Sequence, residues 1–166
     1  TTDGSEPTSK SNLYNQPFKL DKTAIIKAAA FKISLPGAYL PAIESATVSA
    51  KVVKYEWKNT VKTENLKPGI SFKYYQPEQN INMVSSFKSN IVNAGVADNI
   101  SVAKKQRADK FAFEFSGFIK IDKDAVYDFF TASDDGSKLF IDDEEVVNND
   151  GDHGTEEKGG KAALRK

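Results

Sequence analysis

The 166-residue chain is predicted to be all-β, a small β-sandwich-like module followed by a larger β-sandwich, and three observations predict it. In the clearest stretches apolar and polar residues alternate with a period of two. Turn-forming residues cut the chain into short runs, and a helical period shows itself only once, and weakly.

At the front, Asp3-Gly4-Ser5-Glu6-Pro7 carries turn chemistry, and Thr23 to Lys32 is β-branched and then small, bounded by Leu35-Pro36-Gly37. This reads as a separate β module over 1–35. A connector containing a strand follows over 36–65, where Val53, Tyr55 and Trp57 alternate with Val52, Lys54 and Glu56. That aromatic stripe reads as core. Lys67-Pro68-Gly69 breaks the chain before a strand at Ile70 to Tyr75, so a module boundary is expected near 60 to 69. Tyr74 and Tyr75 are strand neighbours that point to opposite faces, and at most one is expected to be exposed.

The helical signal lies in Asn80 to Asn93, whose apolar positions 81, 83, 84, 87, 91 and 92 fit a short helix or an irregular apolar loop. From Phe111 to Ile121 the odd positions are Phe111, Phe113, Phe115, Gly117, Ile119 and Ile121, which predicts a half-buried strand with its phenylalanines in the core. Gly117 interrupts the apolar face and signals a bulge or bend, and Phe118 on the other face predicts that this face is not fully solvated. Asp122-Lys123-Asp124 makes a turn, Val126 to Ala132 is β-favouring, and Leu139 with Ile141 follows the turn Ser133-Asp134-Asp135-Gly136. The three segments read as a meander.

Composition narrows the function classes. Lysine plus arginine equals aspartate plus glutamate at 23 each, so no chain-wide basic field attracts nucleic acid or anionic lipid. The absence of cysteine excludes disulfides, thiolate zinc sites and cysteine nucleophiles. The longest apolar runs, such as Ala24 to Phe31, fall far short of the roughly 20 residues of a membrane-spanning helix. No basic-then-apolar leader stands at Thr1, and the chain stops at Leu164-Arg165-Lys166 without turn residues, so both ends read as cut from a longer polypeptide.

Asp134-Asp135 is the sharpest candidate for chemistry. Adjacent carboxylates converge on one hard cation only where the backbone bends sharply between them, and oxygen ligands suit calcium. The commoner use of Ser-Asp-Asp-Gly is a solvated tight turn, and both readings stand. An EF-hand reading of the acidic tail fails on spacing: with Gly151 at the sixth loop position, Asn148, Asp150 and Glu157 fit, but the first ligand position falls on Val146. Asp142, Asp143, Glu144, Glu145, Glu156 and Glu157 read as a solvated hairpin and loop edge. His153 is the sole histidine and is expected to pack in a loop, and no Gly-x-Ser-x-Gly segment supplies a nucleophile. Glycosidase carboxylates face one another across about 5 to 10 Å, which neighbours in one turn do not guarantee, so the chain is not expected to be an enzyme.

The run Val126-Tyr127-Asp128-Phe129-Phe130-Thr131-Ala132-Ser133-Asp134-Asp135-Gly136-Ser137-Lys138-Leu139-Phe140-Ile141-Asp142, with Val146-Val147-Asn148-Asn149-Asp150-Gly151-Asp152-His153-Gly154, closely resembles the central signature of the protective-antigen (PA fourteen) domain family. Gly69 to Tyr75 resembles that family's opening strand and Phe111 to Ile121 the strand ahead of the signature. The resemblance covers about 66–166 and implies a β-sandwich whose C-terminal strands are missing. Thr1-Thr2-Asp3-Gly4-Ser5-Glu6-Pro7-Thr8, Leu13-Tyr14 and Thr23 to Phe31 resemble the chitobiase or β-hexosaminidase C-terminal module, also described as fibronectin-III-associated, with a shortened first strand.

Together the resemblances imply a non-catalytic carbohydrate-binding accessory region of a secreted or surface bacterial glycoside hydrolase, a β-hexosaminidase-like parent being favoured. The implied location is periplasmic, cell-surface or secreted. The implied partners are a glycan and the catalytic domain of the same polypeptide, with no nucleic acid and no membrane insertion. In sugar-binding members an Asp-Asp pair joined by a cis peptide holds calcium against sugar hydroxyls, so Asp134 and Asp135 are the implied metal and carbohydrate ligands and calcium the implied cofactor. The family's remaining ligand comes from a later loop that this chain lacks, and its hairpin turn commonly has Asp-Gly where Asp143-Glu144 stands here. Tyr55 and Trp57 offer a second use of the aromatic stripe, as a platform for a sugar ring. The alternative function is a structural spacer that packs on the parent's catalytic domain and shapes substrate access without binding sugar; it predicts an exposed apolar patch.

Overall fold

A computed structural model describes residues 1–32, 43–79, 83–86 and 89–166. The described residues are all-β apart from two single turns of 3-10 helix, and the chain divides into two compact units, Thr1–Tyr55 and Glu56–Lys166.

In the first unit, β1 (Ala24–Ala28) pairs antiparallel with β4 (Val48–Val52), placing Ile26 opposite Ala50. The opening turn joins the same strand, because the Gly4 N–H donates to the Ile25 carbonyl at 3.0 Å and the Lys27 N–H to the Thr1 carbonyl at 3.1 Å. Asp3 accepts the Ser5 N–H at 3.0 Å in an Asx turn, and Gly4 supplies the positive φ of 83°. A short pair, β2 (Phe31–Lys32) with β3 (Ile43–Glu44), completes the unit's strands among the described residues. The expected Leu35-Pro36-Gly37 boundary lies outside the described residues.

The second unit holds three small sheets. In the first, β6 (Ile70–Tyr75) lies between β7 (Ile91–Ala97) and β8 (Ala112–Ser116), both antiparallel to it. The register sets Phe72 opposite Phe115 and Tyr74 opposite Phe113. Phe72, Tyr74 and Ala97 form a buried cluster against which Ile70, Phe111, Phe113 and Phe115 pack half-buried. The phenylalanines therefore edge the core rather than fill it. Tyr74 is fully buried because its hydroxyl is satisfied, accepting from the Gln106 N–H at 3.0 Å and from Gln76 Nε2 at 3.1 Å. Tyr75 is buried as well, its hydroxyl donating to Glu114 at 2.8 Å.

In the second sheet, β10 (Ser137–Ile141) pairs with β11 (Glu144–Asn149). In the third, β12 (Glu156–Leu164) runs between β9 (Ala125–Ser133), antiparallel, and β5 (Trp57–Lys58), parallel. The expected meander is therefore corrected: β8, β9 and β10 follow one another in sequence, yet each pairs within a different sheet. Local alternation makes a strand but does not choose its neighbour.

Three further expectations change. The strand predicted from Phe111 to Ile121 ends at Ser116, and Phe118 and Ile119 are exposed beyond Gly117. The Val53-Tyr55-Trp57 stripe is not one core strand, because residues 53–56 lie between β4 and β5 and Trp57 is exposed with the Arg165 guanidinium 6.0 Å from its ring centroid. Glu156 and Glu157 begin β12 and do not edge a loop, whereas Asp142 and Asp143 form the turn of the β10–β11 hairpin and Glu144 and Glu145 stand exposed at the start of β11, in keeping with a solvated hairpin. Within the stretch of mixed helical signal the described residues give a 3-10 turn at Val84–Ser86 and the start of β7; residues 80–82 and 87–88 lie outside the description.

Candidate functional site

Asp134 and Asp135 sit in the bend that joins β9 to β10, and the peptide bond between them is cis. A run of β-favouring residues brings β9 to this point, and the Ser133 and Ser137 hydroxyls close the bend beneath it at 2.7 Å. Among the described residues, neither Asp134 nor Asp135 accepts a side-chain hydrogen bond or enters an ion pair.

The surrounding acids are committed. Asp150 stands at the end of β11 with its side chain 6% exposed. It accepts the Val84 N–H at 2.6 Å, the Ser85 hydroxyl at 2.8 Å and the Ser85 N–H at 3.3 Å, and lies 3.6 Å from Lys138 Nζ. Burial alone would raise its carboxyl, but the Ser85 hydroxyl, the two N–H donors and the Lys138 charge outweigh that and hold it below the usual carboxylate range. Glu145 is held low by Lys138 at 2.8 Å and by the Asn148 amide, also at 2.8 Å.

Small and polar residues build the floor. A Cβ on Gly136 would come within 2.8 Å of Asp150 Oδ1 and 3.0 Å of the Gly151 nitrogen, so only glycine fits where the bend meets β11. Asn149 is fully buried; its amide donates to the Ser133 hydroxyl at 3.2 Å and to the Glu156 carbonyl at 3.0 Å, tying the end of β9 to β11 and the start of β12. His153 lies in the loop from β11 to β12, with Nδ1 2.8 Å from the Gly154 carbonyl and Nε2 3.1 Å from the Asn149 carbonyl. At the other end of β10, Asp142 and Asp143 adopt φ of 50° and 62°, the two positive values of a type I′ hairpin turn made without glycine.

Sequence reasoning marked Asp134 and Asp135, which adjoin here, but missed Asn149 and Asp150 as supports. The signal was Asn148-Asn149-Asp150-Gly151, a turn cluster after two valines that was weighed only as a cation loop. Val147 before it is buried in β11, so no EF-hand loop exists there.

Two adjacent carboxylates without protein partners are hard oxygen donors of the kind calcium takes. Among the described residues no group of three or more histidine, cysteine, aspartate or glutamate side chains converges on one point, so carboxylates alone would give a cation at most these two residues here. Calcium takes about 6 to 8 oxygens, and the balance would come from main-chain carbonyls, water or ligand hydroxyls. Among the described residues no helix is long and apolar enough to cross a membrane.

Comparison with curated proteins and with solved structures gives no match. Two family models do match, the chitobiase/beta-hexosaminidase C-terminal domain over residues 1–37 and the PA14 domain over residues 66–165. Both are accessory, non-catalytic modules associated with glycoside hydrolases. The second match takes in more than half of the chain, including β6 to β12 and the Asp134-Asp135 bend, and the chain belongs to the PA14 domain family.

Proposed function

We infer that this chain is a non-catalytic carbohydrate-binding accessory region of an extracytoplasmic glycoside hydrolase, with a β-hexosaminidase-like parent, and that Asp134 and Asp135 hold a calcium ion against sugar hydroxyls. The observation that carries this reading is that two carboxylates adjoin in one bend and, among the described residues, accept no side-chain hydrogen bond or ion pair, whereas Asp150, Glu114 and Glu145 are all bonded within the protein. Vicinal sugar hydroxyls are neutral oxygen donors that complete such a shell without adding charge. The chain's own share of the work is to fix two carboxylates side by side in the bend between β9 and β10.

The test is calorimetric titration with glycans at saturating calcium and again with a chelator. Binding should require calcium and vanish in Asp134→Ala, and calcium alone should raise the melting temperature of the wild type. Linkage gives about 2.7 kcal/mol of added stability at a hundredfold excess over the dissociation constant, enough to shift the transition by several degrees. No calcium-dependent shift and no glycan binding would overturn the reading.

A second reading, the spacer on the parent's catalytic domain, is favoured by the outward face of β9. Val126 and Phe130 are exposed there, at 45% and 61%, alongside Ala132, and isolated PA14 surface would not gain from such a face. Phe130→Ser in the whole enzyme would then weaken the association of its domains while leaving glycan binding by the isolated chain unchanged.

A further inference from the structure

We propose that Asp150 is a positioning residue that fastens the Met83–Ser85 segment beside the Asp134-Asp135 bend, and that exposed Val84 and Met83 there select sugars carrying a methyl group. This inference rests on the carbohydrate reading of the bend and adds a rule of selectivity to it. One oxygen makes the juxtaposition: Asp150 Oδ1 is 2.6 Å from the Val84 nitrogen and 2.8 Å from the point where a Cβ on Gly136 would stand, and Gly136 directly follows Asp135. The second oxygen accepts both the hydroxyl and the N–H of Ser85, so the segment is gripped at two successive residues. A largely buried carboxylate with four donors, three of them from this segment and the fourth the Gly151 N–H at 3.1 Å, is a rigid anchor, because releasing the segment leaves three hydrogen-bonding groups without their acceptor.

The segment so held exposes Met83 and Val84 together with Ser85, whose hydroxyl is committed to Asp150. Met83 is 48% exposed and Val84 42%. An apolar rim beside two carboxylates suits a ligand that is polar on one edge and apolar on the next. A sugar meets that demand when a methyl group adjoins its hydroxyls, whether the C6 methyl of a 6-deoxyhexose or the acetyl methyl of an N-acetylhexosamine. Covering one methyl is worth roughly a fourfold gain in affinity. A plain hexose would place a hydroxymethyl or hydroxyl against Val84 and gain nothing.

The experiment compares matched methyl glycosides on the full chain in saturating calcium: a 6-deoxygalactoside against the galactoside, and an N-acetylglucosaminide against the glucoside. The wild type should prefer the methyl-bearing member of at least one pair by about fourfold or more, and the pair that responds identifies the source of the methyl. Val84→Ser, an exposed change that the fold tolerates, should erase the preference by bringing the methyl-bearing member down to the affinity of its plain partner, while the calcium midpoint, read without sugar, stays where it is. Asp150→Asn should weaken the preference and speed hydrogen exchange at the Val84 and Ser85 amides. Equal binding of both members by the wild type, or an unchanged preference in Val84→Ser, overturns the selectivity. Unchanged amide exchange in Asp150→Asn overturns the anchoring. If the wild type binds no glycoside at all in calcium, the carbohydrate reading falls first and this inference with it, a result distinct from binding without discrimination.

Discussion

Both ring nitrogens of His153 face main-chain carbonyls, so the ring is held best when both carry hydrogen. The Gly154 carbonyl first, and the Asn149 carbonyl second, raise its affinity for a proton above the ordinary value. A folded-state value above the unfolded one means that the protonated ring favours the fold. That stabilisation is complete below about pH 6.5, the unfolded value, and is lost as pH rises through the higher folded value. Thermal melts between about pH 5 and 8 should therefore show the wild type losing stability relative to His153→Gln as pH rises. Parallel profiles would mean that the ring only fills space. The same scale separates the aspartates: residues of one type differ because Asp150 meets N–H and hydroxyl donors whereas Asp134 and Asp135 do not. Composition and spacing singled out the pair, since adjacent acids in a bend are visible in sequence. They could not single out Asp150, whose partners Val84 and Ser85 are 66 and 65 residues away.

β12 shows which elements sequence reveals and which it conceals. Strands β6 and β10 were legible because their apolar residues alternate against polar ones, and β9 because it is rich in β-favouring aromatic and branched residues, with turn residues bounding them. Glu156 to Leu164 shows no such contrast: charges open it, Gly159-Gly160 interrupts it, and its buried residues Ala162, Ala163 and Leu164 are consecutive. The glycines mark close approach. A Cβ on Gly160 would collide with the Val146 carbonyl, and one on Gly159 would press the Phe130 ring at 2.8 Å. Backbone cannot give way as a side-chain end does. Gly160→Ala should cost more than about 3 kcal/mol in denaturant unfolding, beyond ordinary overpacking. Gly154→Ala, with nothing within 4 Å of its Cβ, should stay within about 0.5 kcal/mol. Equal effects at the two glycines would contradict the packing of β11 on β12. β7 escaped for another reason: six of its seven residues are exposed, so burial writes little pattern into it.

At the scale of the whole molecule, the chain divides into two compact units. Both proposed calcium ligands belong to Glu56–Lys166, at the junction of β9 and β10, and none to Thr1–Tyr55. A ligand stabilises only those openings that release it, so the free energy of binding is added to the elements that must come apart with the site. Hydrogen exchange with and without calcium should therefore show slowing in β9, β10 and their partners β11 and β12, and none in β1 and β4. The effect should disappear in Asp135→Asn. Uniform slowing across β1 and β4 would mean that the two units open together, and slowing confined to the first unit would place the cation elsewhere. Breaks in composition give segments 1–35, 36–65 and 66–166, whereas the two compact units meet between Tyr55 and Glu56. The assembly of the second unit was not legible, because β5 reaches β12 across about a hundred residues and the pairing of Trp57 with Ala163 follows from no local pattern. Such long-range pairing is ordered only when the chain closes on itself. In Lys58→Glu, which sets like charges against each other where Lys58 now meets Glu144 at 2.5 Å, the exchange of β5 and the end of β12 should quicken before that of the Asp134-Asp135 bend. The site would then keep its calcium response while that edge of its sheet loosens, which ties the cation to the β9 to β10 bend rather than to the unit as a whole.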